Sequence, residues 1–148
     1  MSFRAGDVTV MNILLVEDNP GDVRLMKEAL TSSGTRSRLS VVEDGDQALR
    51  YLHRDSPYSE AVRPDIIFLD LNLPKRDGRE VLAQVKTHTD LRRIPVIVLT
   101  TSEASLDVQK AYDLYANCYV RKPNDLDEYL SVVKACENFW LSIVRLPE

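Results

Sequence analysis

The sequence predicts an α/β protein: a five-stranded parallel sheet covered by helices on both faces. Three observations predict it. Five short runs read as strands, and the first, Ile13–Val16, lacks the alternation of a strand with one wet face, which marks a strand buried on both sides. A segment with the apolar period of a helix follows each run. The 148 residues suffice for one domain with a real core and are too few for two ordinary ones.

Each element has its own local signal. Ile13–Val16 is the first strand. Asn19-Pro20 then starts a helix, a cap residue followed by proline at the first helical position. Val23, Met26 and Leu30 form its inner stripe, and Gly34 is suited to end it. Leu39–Val42 is the second strand, and Asp44 can cap a second helix that turns Ala48, Leu49 and Leu52 inward. The polar stretch from Arg54 to Pro64 holds two prolines and reads as a loop.

The third strand, Ile66–Leu69, ends at Asp70; Pro74 prevents its continuation. A helix from about Arg79 to Thr87 follows, with Val81, Leu82 and Val85 inward. Val96–Leu99 is the fourth strand. The next helix, about Ala104 to Ala116, is expected to turn Val108, Ala111, Tyr112 and Tyr115 inward. Cys118–Val120 is the fifth strand, ending at Arg121-Lys122-Pro123. The last helix is expected to run from about Asp125 past Trp140.

Composition narrows the function classes. The chain is 44% hydrophobic and 28% charged, which is neither disordered nor fibrous. Nineteen basic and 23 acidic residues give a net charge of −4, so no broad surface for nucleic acid is implied, and Arg92-Arg93 is too small a patch. The apolar runs fall far short of the roughly 20 residues of a membrane span. MSFRAGDVTV has no long apolar core, so no signal peptide is expected. Cys118 and Cys136 form no disulfide framework and lack metal-ligand spacing; a cytoplasmic setting is expected, with both as small core residues. His53 and His88 are expected at the surface, apart from any site.

In open parallel sheets the ligand site lies beyond the carboxyl ends of the strands. Glu17, Asp18, Asp70, Thr100 and Lys122 all stand there. Clustered carboxylates repel one another, and a divalent cation relieves the repulsion. Oxygen ligands without His or Cys suit Mg²⁺ or Mn²⁺. The chemistry that matches is phosphoryl transfer to a carboxylate. In that reading Asp70 attacks, and Glu17 and Asp18 hold the metal with the backbone carbonyl of Asn72 as a further ligand. Lys122 and Thr100 bind phosphate oxygens.

These segments (LLVEDNP, DIIFLDLNLPKRDGREVL, PVIVLTTS and CYVRKP) resemble the receiver domain of two-component response regulators, from about Met11 to Ala135. The resemblance implies the flavodoxin-like (βα)5 fold with strand order 2-1-3-4-5. It implies a sensor histidine kinase as phosphoryl donor to Asp70, with Mg²⁺ at Glu17, Asp18, Asp70 and the Asn72 carbonyl. It implies a switch in which Thr100 moves to the phosphoryl group, Tyr119 turns inward, and helix four, strand five and helix five change surface. Such a protein is a self-catalysed phosphoacceptor rather than a metabolic enzyme. Thr101 departs from the small residue many receivers carry there, and the Arg54–Pro64 loop is longer than in a minimal receiver. The DLNLPKRDGREVL run, ANCYV and ENFWLSIVRLP are similar to the small response regulators of cyanobacterial and bacterial phytochromes, single domains without an output domain.

The expected domain plan is one receiver over 1–148, with a short N-terminal extension at 1–11 and an extended C-terminal helix or tail from about 136. The apolar band of the last helix is too wide for one core face. Phe139, Trp140, Ile143 and Leu146 are therefore expected in a homodimer interface, continuing the helix-four to helix-five face. The rival from another class is a Mg²⁺-dependent phosphatase with an aspartate nucleophile. Such enzymes carry a second acid two residues on, and here that residue is Asn72, which cannot protonate a leaving group. A receiver-like scaffold that is never phosphorylated is the third reading.

Overall fold

A computed structural model describes residues 10–34, 36–101, 105–137 and 139. The elements follow in strict alternation: β1 (Met11–Val16), α1 (Pro20–Ser33), β2 (Ser37–Val42), α2 (Gly45–His53), β3 (Ile66–Leu69), α3 (Gly78–Thr87), β4 (Val96–Thr100), α4 (Ser105–Asp113), β5 (Cys118–Arg121) and α5 (Leu126–Glu137). All neighbouring strands are parallel, in the order β2-β1-β3-β4-β5. This is the doubly wound receiver topology expected from the sequence.

Side chains of successive strand residues point to opposite faces, and the sheet therefore builds two cores. Leu14, Val16, Ile67, Leu69, Val96 and Val98 meet α2, α3 and α4 through Leu49, Leu52, Val81, Leu82, Val85 and Ala111. Ile13, Leu15, Ile66, Phe68, Ile97 and Leu99 meet α1 and α5 through Met26, Ala29, Leu30, Tyr129 and Val133. Burying a side chain of this size contributes about 1.5–3 kcal/mol, so the central strands β1, β3 and β4 carry most of the stability.

The caps act as their residue types require. Asn19 accepts from the backbone N–H groups of Gly21 and Asp22 with Pro20 opening α1, and Gly34 closes it in the left-handed region at φ 79°. Asp44 accepts from Gln47 N–H at the start of α2.

Three expectations need correction. Met11 belongs to β1, buried and donating its N–H to Arg36 O, so the N-terminal extension ends before it. The α4 helix stops at Asp113, and Tyr115 adopts φ 67°; Tyr112 and Tyr115 therefore face outward, 49% and 73% exposed, while Ala111 is buried. The inner face of α5 is built on Tyr129 and Val133. His88 is half-buried and stacks edge-on against His53, ring centroids 5.1 Å apart, so the two histidines are neighbours. Phe139 is 48% exposed, and the expected interface residues Trp140, Ile143 and Leu146 lie outside the described residues.

Candidate functional site

The carboxyl edge of the sheet holds the site. Glu17 follows β1 and extends its ladder, donating its N–H to Val42 O at 3.0 Å. Asp70 follows β3 and donates its N–H to Val16 O at 3.1 Å. Thr100 is the last residue of β4, fully buried, and its carbonyl accepts from Lys122 N–H. The functional side chains thus stand on backbone that the sheet has already fixed, which gives precision at no further ordering cost.

Lys122 joins the cluster. Its ammonium group lies 2.6 Å from Glu17 Oε1, 2.8 Å from Asp22 Oδ2 and 3.0 Å from Asp70 Oδ2. Its three N–H donors thus match three carboxylate partners. Burial weighs against the charge on Lys122. Hydrogen bonds to Asp22 and Glu17 outweigh it and hold the amine above the ordinary lysine range. The Lys122–Pro123 bond is not cis; among the described residues the one cis peptide bond is Ser56–Pro57.

The carboxylates outnumber this cation. One oxygen each from Glu17, Asp18 and Asp70 lies within 4.8 Å of the others, with Glu17 and Asp70 buried and Asp18 exposed. Burial pushes the Glu17 carboxyl up to about 7, and the Asp70 charge adds to the rise that Lys122 only partly offsets. The donor set is all oxygen, negatively charged and open to solvent at Asp18. The Asn72 carbonyl accepts no hydrogen bond among the described residues. These features fit Mg²⁺ or Mn²⁺.

Asn72 has two further roles in the geometry. Its backbone N–H donates to Asp70 Oδ1 at 3.1 Å, which orients the carboxylate. Its side-chain amide reaches Thr100 Oγ1 at 3.5 Å, so the Thr100 hydroxyl borders the same pocket. Thr101 is exposed beside it. Tyr119 lies one strand further out, paired in register with Val98 and half-buried against α4, and its N–H donates to the Tyr112 hydroxyl at 3.2 Å.

Asp22 is the site residue that the sequence reading missed. It is a first-turn acid on α1, favourable there for the helix dipole. The available signal was position: one turn into α1, on the side facing the end of β5. Cys118 and Cys136 form no disulfide and lie half-buried against the second core.

Fold and site together define a doubly wound α/β protein with an acidic, cation-accepting pocket around an aspartate at the end of its central strand. The sequence model of the response regulator receiver domain matches residues 13–134. Response regulator Rcp1 of Synechocystis is 47% identical over 135 residues, covering 91% of this chain and 92% of Rcp1. The phosphorylated cyanobacterial phytochrome response regulator RcpA superposes with a TM-score of 0.90 at 48% identity, covering 95% of this chain and all of RcpA. The Mn²⁺-bound form of Rcp1 superposes with a TM-score of 0.87 at 46% identity, covering 93% and 99% of the two chains. This chain belongs to the response regulator receiver family.

Proposed function

We propose that this protein accepts a phosphoryl group on Asp70 from the phosphohistidine of a sensor histidine kinase of the phytochrome type. The observation that carries this reading is the Asp70 carboxylate, held by Lys122 Nζ at 3.0 Å and by Asn72 N–H at 3.1 Å within the Glu17–Asp18–Asp70 cluster. Glu17, Asp18, Asp70 and the Asn72 carbonyl would hold Mg²⁺. When bound, the cation neutralises charge on the transferring phosphoryl oxygens. The residues themselves do the positioning. Asn72 N–H fixes the rotation of the Asp70 carboxyl, and Lys122 and Thr100 complete the oxyanion surroundings. The P–N bond of the donor breaks as the bond from phosphorus to an Asp70 oxygen forms. The similarity to the cyanobacterial phytochrome response regulator RcpA supports the choice of donor.

In this reading the chain is a signalling phosphoacceptor and not a metabolic enzyme. The readout runs through Thr100, Tyr119 and the face of α4, β5 and α5. That face carries Leu106, Tyr112, Tyr115, Leu126 and Phe139 at least one-third exposed, which supports pairing of two copies there.

The test is intact mass after incubation with Mg²⁺ and acetyl phosphate. A gain of about 80 Da, one phosphoryl group, is expected on an acyl-phosphate-forming aspartate. It should vanish in Asp70→Asn and without the cation. Transfer from an autophosphorylated phytochrome kinase, compared with an unrelated histidine kinase, tests the donor. Light scattering before and after phosphorylation tests the pairing, and a single monomeric mass in both states would remove it.

A further inference from the structure

We propose that the cavity between the C-terminal ends of α2 and α3 is an anion site for a phosphate or pyrophosphate group, distinct from the Asp70 site. The helices return antiparallel to the strands, so this cavity opens at the amino edge of the sheet, opposite Asp70. It has a volume of about 580 Å³ and is lined by His53, Arg54, Arg63, His88, Asp90 and Arg93, among others. That volume lies within the range of small-ligand sites.

The charge in the cavity is uncompensated. Three guanidinium groups face one carboxylate, and Arg54, Arg63 and Arg93 form no ion pair among the described residues. Arg63 Nη2 donates to the Asp90 carbonyl at 2.6 Å, which anchors that guanidinium and leaves its other N–H groups available. The planar fork of arginine matches phosphate oxygens.

His88 is committed as a donor too. His88 Nδ1 accepts from the N–H groups of Asp90 at 3.1 Å and Leu91 at 3.3 Å. The neutral ring therefore carries its proton on Nε2, the nitrogen left free to donate. The same assignment argues against a transition metal, which would need a lone pair on that nitrogen. Helix C-termini ordinarily disfavour anions. Here some of the final-turn carbonyls already have partners: Arg54 N–H serves Arg50 O and Tyr51 O, and His88 N–H serves Val85 O.

The test uses the full chain carrying Asp70→Asn, free of metal, titrated with pyrophosphate at constant ionic strength. The readout is the ¹⁵N shifts of the His53 and His88 rings. A saturable shift at both rings is expected, weakened about tenfold by Arg93→Gln, which removes one charged hydrogen-bond donor. Arg93 is exposed, so this variant should keep the fold; Arg63→Gln is a second variant, with circular dichroism to verify folding. Equal affinity for phosphate, pyrophosphate and adenosine diphosphate would point to a free phosphate group. Tighter binding of the nucleotide would point to a nucleoside diphosphate; both support the site. A linear drift matched by chloride would overturn it. So would an acidic peptide that displaces pyrophosphate through the same arginines at lower concentration, because the face would then serve a protein.

Discussion

Gly78 lies directly against the backbone of Asp70. A methyl group on Gly78 would come within 2.3 Å of Asp70 O and 2.6 Å of Leu71 Cα. Both are backbone atoms of the segment that carries the proposed phosphoacceptor, so neither can turn aside as a side chain would. Gly78→Ala should therefore cost about 1–3 kcal/mol, the usual penalty for overpacking. It should also slow phosphorylation from acetyl phosphate by at least about tenfold, because displacements near 1 Å at a reacting group are costly. Gly45→Ala makes a useful contrast, since its methyl would meet Arg76 O at 2.3 Å, on the far side of the same loop. It should lower stability comparably and phosphorylation less. Urea unfolding and initial rates by intact mass separate the two effects.

The Glu17 carboxyl makes stability depend on pH. Its pKa lies at about 7 in the folded metal-free protein and at 4.5 in the ordinary state, chiefly through burial. The folded state thus binds more protons than the unfolded state between those values, and stability falls as pH rises through that window. At about 1.4 kcal/mol per pH unit the loss is on the order of 3 kcal/mol by pH 7. Chemical unfolding of the metal-free protein at pH 5, 6, 7 and 8 should show this decline. Glu17→Gln should flatten it. Mg²⁺ should reduce it, because cation and proton compete for one carboxylate, and Mg²⁺ affinity should weaken as pH drops below 7.

Removing Lys122 leaves Glu17, Asp22 and Asp70 without their shared cation. Breaking a buried ion pair from one side costs about 3–5 kcal/mol. Lys122→Met should therefore be clearly destabilised at pH 8, less at pH 5 where the carboxylates can take up protons, and partly rescued by Mg²⁺. Phosphorylation of Asp70 should fall sharply even in rescued protein, since Lys122 is also the proposed phosphate-oxygen ligand. Equal destabilisation at both pH values would show that packing, not charge, is what Lys122 contributes.

The central strands β1, β3 and β4 were legible in the sequence because a strand buried on both faces is apolar along its length, and the site residues because they stand at strand ends. Asn19-Pro20 and Asp44 announced two helices through cap chemistry that needs no tertiary context. What stayed hidden depends on distance across the fold. Asp22 reads as a solvated first-turn acid until β5 brings Lys122 to it. Tyr112 and Tyr115 fit an inner helical stripe only if α4 continues, yet it ends at Asp113 and Tyr115 turns left-handed. His53 and His88 are separated by a strand and a helix, and only the parallel return of α2 and α3 stacks them.

Lys86 is a half-buried cation that works for the scaffold. Its ammonium donates to Arg92 O at 3.1 Å, Ile94 O at 2.7 Å and Asn117 Oδ1 at 3.0 Å. Asn117 Oδ1 in turn accepts from Val96 N–H, so one lysine ties the end of α3 to the starts of β4 and β5. Lys86→Met should strand these acceptors and cost about 1–3 kcal/mol. Hydrogen exchange should accelerate at Val96 and Asn117 more than at Leu14 or Ile67 in the sheet centre. Burial lowers the Lys86 pKa from 10.5 to about 8. The folded state therefore binds fewer protons than the unfolded state between those values, and Lys86 makes stability rise with pH from 8 to 10.5. Over that window wild-type protein should gain stability relative to Lys86→Met in urea unfolding; parallel pH profiles would show that the three oxygens hold the proton against burial.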